Sequence, residues 1–297
     1  MKCGTFMGTN KTTTYLVDSG YDSVGNKYNP VNDVFLNLNA TDGGKIDFKS
    51  DVTYVGSALD QEKGKTNKKL NITVADSASS ISFNKMEIYA DTTIKNMGDK
   101  DDFFASAVTV YDGATLETYG SLDLNDVAIS GGTLYSNGSL EMDSLVMENA
   151  TMLFAVSSLE VTQGLIQYNG TDLTGYGTNN VSAADMIQNF GIVLSGAAVD
   201  TLMQQWETAV EFSFTLAEGS ADFEKHFAYV LEQNLADFTI TLGEDALVDY
   251  ALTVDNLQVV DDENGVHIIG TVTIPEPTTA TLSLLALAAL AARRRRK

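Results

Sequence analysis

The chain has 297 residues, of which 40 are acidic and 18 basic, with three prolines, one cysteine and 24 glycines. At 44% hydrophobic and 20% charged, this is the composition of a folded, acidic protein of one long or two modest domains, and it argues against wholesale disorder. All four arginines lie at 293–296 with Lys297 after them, so residues 1–292 set 40 carboxylates against 13 lysines, a charge near −27. Such a body repels phosphate backbones and anionic membrane surfaces, which disfavours a nucleic-acid function. The lone Cys3 makes no intrachain disulfide.

Residues 1–69 read as an irregular, β-rich N-terminal region. They are rich in Asn, Asp, Gly and Thr, with strand-like pieces at Val34–Leu38 and Lys45–Phe48. The lysines Lys63, Lys65, Lys68 and Lys69 suit an exposed loop. Met1–Asn10 lacks the apolar core of a secretory signal peptide, so a true start upstream of Met1 is expected if the chain is exported.

Residues 70–170 contain a repeat. Gly113–Leu124 aligns with Gly131–Met142 eighteen residues later, with six of twelve positions identical, and a weaker copy begins at Asn149-Ala150-Thr151-Met152. Upstream, Tyr89–Ile94 aligns with Tyr111–Leu116 at an offset of 22, the extra residues falling in Asp99-Lys100-Asp101-Asp102. Within each copy apolar and polar residues alternate, as in Leu122-Asp123-Leu124 and Val127-Ala128-Ile129, the signature of strands with one buried face. Short strands repeating every 18 to 22 residues without proline predict a right-handed parallel β-helix. Leu116, Leu134 and Met152 would form one interior ladder, and Leu122, Leu140 and Leu159 the next. The alternative is an antiparallel β-sandwich with hairpins of similar period. Over residues 70–170 the strand-turn periodicity resembles the β-helical passenger regions of secreted adhesins and autotransporters.

Residues 171–270 read as a small α+β cap. Ser220 is a candidate N-cap for a helix from Ala221 to about Ala236, with Asp222 and Glu224 near its positive end and Phe223, Phe227, Val230 and Leu231 as its buried stripe. Phe238–Leu242 reads as a strand, and Leu257–Val260 and Val266–Ile269 as a hairpin joined through Asn264-Gly265.

Candidate chemistry is thin. His226 falls beside Phe223 and Phe227 and reads as a packed or half-buried histidine rather than a catalytic base, and His267 sits within a strand; neither has a Cys or second His at zinc-ligand spacing. The runs Asp99, Asp101, Asp102 and Asp261, Asp262, Glu263 lack the glycine and terminal glutamate of an EF-hand loop and read as solvated turns. The sequons at Asn71 and Asn149 are expected by chance in so Asn- and Thr-rich a chain. No catalytic, cofactor or metal residues are assigned, and no enzyme activity is expected. A β-helix carbohydrate-active enzyme is the alternative, weakened for anionic sugars by a body without arginine.

Residues 271–297 form a tail in three parts: Pro275-Glu276-Pro277, an uncharged stretch from Thr278 to Ala292, and Arg293, Arg294, Arg295 and Arg296 followed by Lys297. As a helix the stretch is about 22 Å long, marginal for a bilayer, and the basic end holds to the cytoplasmic side. Together these residues closely resemble the PEP-CTERM sorting tail. The resemblance implies an exported cell-surface or extracellular-matrix protein, anchored transiently in the inner membrane, and the expected β-helix rod suits it to a structural or adhesive role. It also implies an exosortase, an integral-membrane peptidase, that recognises Pro275, Glu276 and Pro277 while Arg293–Arg296 stop transfer. Extracellular polysaccharide is the expected partner.

Overall fold

The chain is mainly β, because its alternating residues sort into an inward apolar set and an outward polar one. The computed structural model describes residues 4–9, 12–15, 35–48, 51–56, 69–170, 182–205, 208–243 and 252–274. Among these, a nine-stranded sheet and a thirteen-stranded sheet share one hydrophobic core. The chain passes between them in turn. Leu70–Val74, Thr92–Asn96, Thr115–Tyr119, Thr133–Asn137 and Ala150–Val156 lie in the first, and Ser80–Ile88, Phe103–Tyr111 and Leu122–Ser130 between them lie in the second. Among the described residues, antiparallel ladders are confined to the pairs that Gly265–Thr273 makes with Val210–Glu218 and Thr253–Asp262. Through the repeat the neighbouring strands pair in parallel, which removes the antiparallel sandwich.

The eighteen-residue repeat is the pairing register itself. Leu116 lies opposite Leu134, and Leu134 opposite Met152, all with no exposed surface. Burying a leucine stabilises by about 1.5–3 kcal/mol, and stacking identical positions repeats that gain at each level. Two expected pairings are corrected. Leu116 lies opposite Thr92, while Ile94 lies opposite Thr118; the two-residue shift keeps every side chain on its expected face. Thr92 is tolerated in the core because its hydroxyl donates to Ala90 O at 3.0 Å. The second ladder runs Leu122, Leu140, Ile166 rather than through Leu159, which packs partly buried at the rim. Residues 157–164 spend their length on a short strand, Glu160–Val161, that pairs with Ser213–Phe214 instead.

Strands of the thirteen-stranded sheet bend at a common level. Asn84-Lys85, Ser106-Ala107 and Asn125-Asp126 each place two consecutive residues outward, re-phasing the alternation, and Lys85, Ala107, Asp126 and Ser144 are aligned across the strands. Between the sheets the chain turns at Gly120 and Gly138, with φ of 84° and 149°. A Cβ at Gly138 would meet Gly120 O at 2.0 Å, and one at Gly120 would meet Asn96 O at 2.1 Å, so stacked turns demand glycine there.

The sheets extend beyond the repeat on both sides. Gly4–Thr9 pairs with Phe35–Thr41 in parallel, and Thr12–Tyr15 with Lys45–Phe48. Downstream, Ile187–Leu194 pairs with Ala150–Val156, and Phe238–Leu242 pairs with Ile187–Leu194. Ser220 Oγ accepts from Phe223 N at 3.3 Å and caps the helix Ala221–Gln233. That helix buries Phe223, Phe227, Ala228, Val230 and Leu231, with Phe223 stacked on Tyr168 at 4.0 Å between ring centroids. It ends earlier than expected, at Asn234, whose side chain donates to Val230 O and Ala183 O.

Candidate functional site

The outward rows of the two sheets differ in chemistry. On the nine-stranded sheet Thr93, Glu117, Tyr135 and Leu153 form one row across adjacent strands, with Thr115, Thr133 and Thr151 on one side of it and Lys95, Tyr119 and Asn137 on the other. Glu117 is held between neighbours: Thr93 Oγ1 donates to it at 3.1 Å and Tyr119 Oη donates to its other oxygen. Lys95 Nζ sits 5.0 Å from the centre of the Tyr119 ring, a cation–π geometry. Lys69 pairs with Asp91 at 2.9 Å, and this hydrogen bond holds the ammonium above its ordinary pKa. Of these side chains, Lys69, Asp91, Thr93, Thr115, Glu117, Tyr119, Thr133, Tyr135, Asn137 and Leu153 line a shallow groove of about 700 Å³ that continues to Val193, Ser195 and Leu242.

On the thirteen-stranded sheet the outward row is Asp123, Glu141, Gln167 and Glu218. Lys100 and the Asn169 amide both donate to Glu141, and these bonds, Lys100 first, lower its pKa. Asp123 shifts upward, through partial burial and then through its neighbours Glu141 and Asp101. Two adjacent carboxylates thus shift in opposite directions: Lys100 lowers both but hydrogen-bonds only Glu141, and at Asp123 burial and the neighbouring carboxylates outweigh it.

A larger hollow of about 970 Å³ lies near the C-terminal hairpin, lined by Ser157, Glu160, Thr201, Glu211, Asn256 and Thr271 among others. It opens where the strand Thr253–Asp262 breaks register between Asp255 and Gln258, at Asn256 with φ of 56°.

Sequence reading missed one constellation with the outline of a nucleophile, base and orienting acid. Thr215 Oγ1 lies 3.0 Å from His267 Nδ1, and His267 Nε2 lies 3.2 Å from Asp262 Oδ1. Asp262 and His267 share the hairpin, five residues apart, and the distant Thr215 meets them only because Val210–Glu218 pairs with it. Thr215 is 1% exposed, so its hydroxyl meets no substrate, and the chain of bonds ties the hairpin to the sheet instead. His226 differs from its expected packed position. It is exposed, one helical step off the apolar stripe, with Nδ1 2.8 Å from Asp222 O. Asp99, Asp101 and Asp102 surround the short helix Lys100–Asp102, with Asp102 accepting from Asp99 N, and Asp262 accepts from Asn264 N in the hairpin turn. Among the described residues no group of three or more His, Cys, Asp or Glu is arranged to hold a metal ion.

The last described strand is held firmly in the core. Gly265–Thr273 is paired on both edges, and Ile274 is 1% exposed. Pro275, Glu276, Pro277, the stretch Thr278–Ala292 and Arg293, Arg294, Arg295 and Arg296 lie outside the described residues, as do Lys63, Lys65 and Lys68. A family model described as the PEP-CTERM protein-sorting motif matches residues 273–297. The chain ends in a PEP-CTERM sorting motif. That motif marks the protein for export and sorting to the cell surface, with processing by an exosortase, a membrane protein. The matched segment begins on Thr273, the last residue of a core strand. No helix among the described residues is long and apolar enough to cross a membrane. No curated protein and no solved structure matches the chain.

Proposed function

We propose that the protein is a cell-surface or extracellular-matrix component with a structural or adhesive role, built on a right-handed parallel β-helix and without catalytic activity. Parallel strands joined by alternate passage through two sheets, a common corner and stacked glycine turns support the solenoid, and crossovers between parallel strands are right-handed in nearly all proteins. The observation that carries the role is the sorting motif fused directly to a regular stacked body. The thirteen-stranded face is acidic and the nine-stranded face mixed, so extracellular polysaccharide is the partner, met on the mixed face.

The exosortase cuts at or after Pro275, within the proline-stiffened link. Proteolysis needs an extended, unpaired segment, and the backbone is held in ladders on both sides up to Val272 and on one side at Thr273. Before the cut, the stretch Thr278–Ala292 anchors the precursor in the inner membrane and Arg293, Arg294, Arg295 and Arg296 stop its transfer.

The test is fractionation of the native host with and without its exosortase. The protein is expected at the cell surface or in the matrix in the first case and in the membrane fraction, at full length, in the second. An identical distribution in both strains contradicts the proposal.

A further inference from the structure

We propose that the groove along the nine-stranded sheet is a binding site for a neutral, β-linked oligosaccharide lying parallel to the stack of strands. The proposal rests on the extracellular reading above for where such a ligand is met, and on the groove itself for its chemistry.

Length and direction come first. The lining side chains belong to six successive strands, from Thr93 to Leu242, which spans five strand spacings, about 24 Å. A β-1,4-linked sugar ring advances by roughly one strand spacing, so a glycan laid along the groove offers each successive ring to the next strand. Aligned side chains then make similar contacts at each level, as the outward hydroxyls of Thr115 and Thr133 on adjacent strands do.

The contact chemistry is that of sugar recognition. Tyr119 and Tyr135, on neighbouring strands, are half-buried and supply apolar surface for the C–H faces of pyranose rings. Glu117, fixed by Thr93 and Tyr119, is pre-set to accept from sugar hydroxyls, and Asn137 both donates and accepts. Charge selects the class. Of the lining groups Lys69 is cationic and Asp91 and Glu117 are anionic, with Lys95 beyond them over the Tyr119 ring. Both lysines are engaged, one by Asp91 and one over Tyr119. A uronate chain would bring a carboxylate toward Asp91 and Glu117, and a neutral glycan avoids that repulsion.

The full-length protein is titrated by calorimetry with cellohexaose and chitohexaose, and with hexagalacturonate as the anionic control. At least one neutral hexamer is expected to bind, with hexagalacturonate weaker by about tenfold or more. The double variant Tyr119→Ala, Tyr135→Ala should lose about tenfold in affinity with an unchanged circular dichroism spectrum. On the unsubstituted protein, hydroxyl-radical footprinting should show Tyr119 and Tyr135 protected by the bound hexamer, a readout independent of how the variant folds. Absence of binding by both neutral hexamers, equal binding of hexagalacturonate, or no protection of either tyrosine overturns the proposal. A protein that reaches the cell surface but fails these titrations loses the groove and keeps the proposed function. One that binds in the calorimeter but ignores the exosortase does the reverse.

Discussion

Residues 115–156 and residues 187–242 build the same ladder at very different spacing. In the first, Leu116, Leu134 and Met152 follow one another every eighteen residues. In the second, Met152 is succeeded by Phe190 and Phe190 by Phe238, after connections that contain a helix, a hairpin partner or both. The inward position is filled in each case, with Phe190 2% and Phe238 9% exposed. What the fold holds constant is the face of the strand. Connection length varies because each doubling of a loop costs only about 0.6 kcal/mol of closure entropy, whereas a slip of one residue turns every apolar side chain outward.

The largest expected effect breaks the regular half. Leu134→Asp sets an unpartnered carboxylate between Leu116 and Met152 and should lower stability by about 4 kcal/mol or more, measured by urea unfolding. A change below about 1 kcal/mol would mean that the ladder does not carry the fold.

Next comes the irregular half. If Phe190 is a rung of the same ladder, Phe190→Ala should cost about 3–5 kcal/mol, close to Met152→Ala at about 2–5 kcal/mol, and both should unfold in a single transition. Two transitions, with Phe190→Ala moving only one, would split the late strands from the repeat. Removing the helix cap sharpens the same question, since Ser220→Ala should cost about 1 kcal/mol and shift the same transition.

The smallest effect concerns the acidic row. Asp123, with its pKa raised, binds its proton more tightly folded than unfolded, so its contribution falls as pH rises through the carboxylate range. Glu141, with its pKa lowered, contributes stability above its unfolded pKa and loses it as pH falls through the folded one. Near neutral pH, Asp123→Asn should therefore stabilise and Glu141→Gln destabilise, each by a few tenths of a kcal/mol after screening. Both differences should vanish below the carboxylate range. Shifts of the same sign would show that Lys100 does not discriminate between them.

Legibility in the sequence follows the same division. Where turns are short, the repeat exposed the register directly, and Leu134 stands where the alternation places it. The cap at Ser220 and the hairpin turn at Asn264-Gly265 are local signals and were equally readable. Long connections hid the rest: nothing in Phe190 or Ile166 marks either as the successor of Met152 or Leu140, because the intervening loops carry no period. The meeting of Thr215 with His267 and Asp262 was illegible for a related reason: the two hairpin residues are local, but Thr215 lies about fifty residues away on a strand whose pairing has no signature in the chain. The groove could be read only as alternate polar residues, because its rows exist once the register is known. The tail was the most legible segment, as its three parts act in sequence order and need no tertiary partner.

The account turns on that tail being a processing signal on a folded, exported body. C-terminal mass spectrometry of the exported protein from its native host tests this most directly. The predicted terminus lies at or after Pro275 and lacks Arg293 to Lys297, with Thr273 and Ile274 retained because the core holds them. Exported protein ending intact at Lys297, or cut back within Gly265–Thr273, would contradict it.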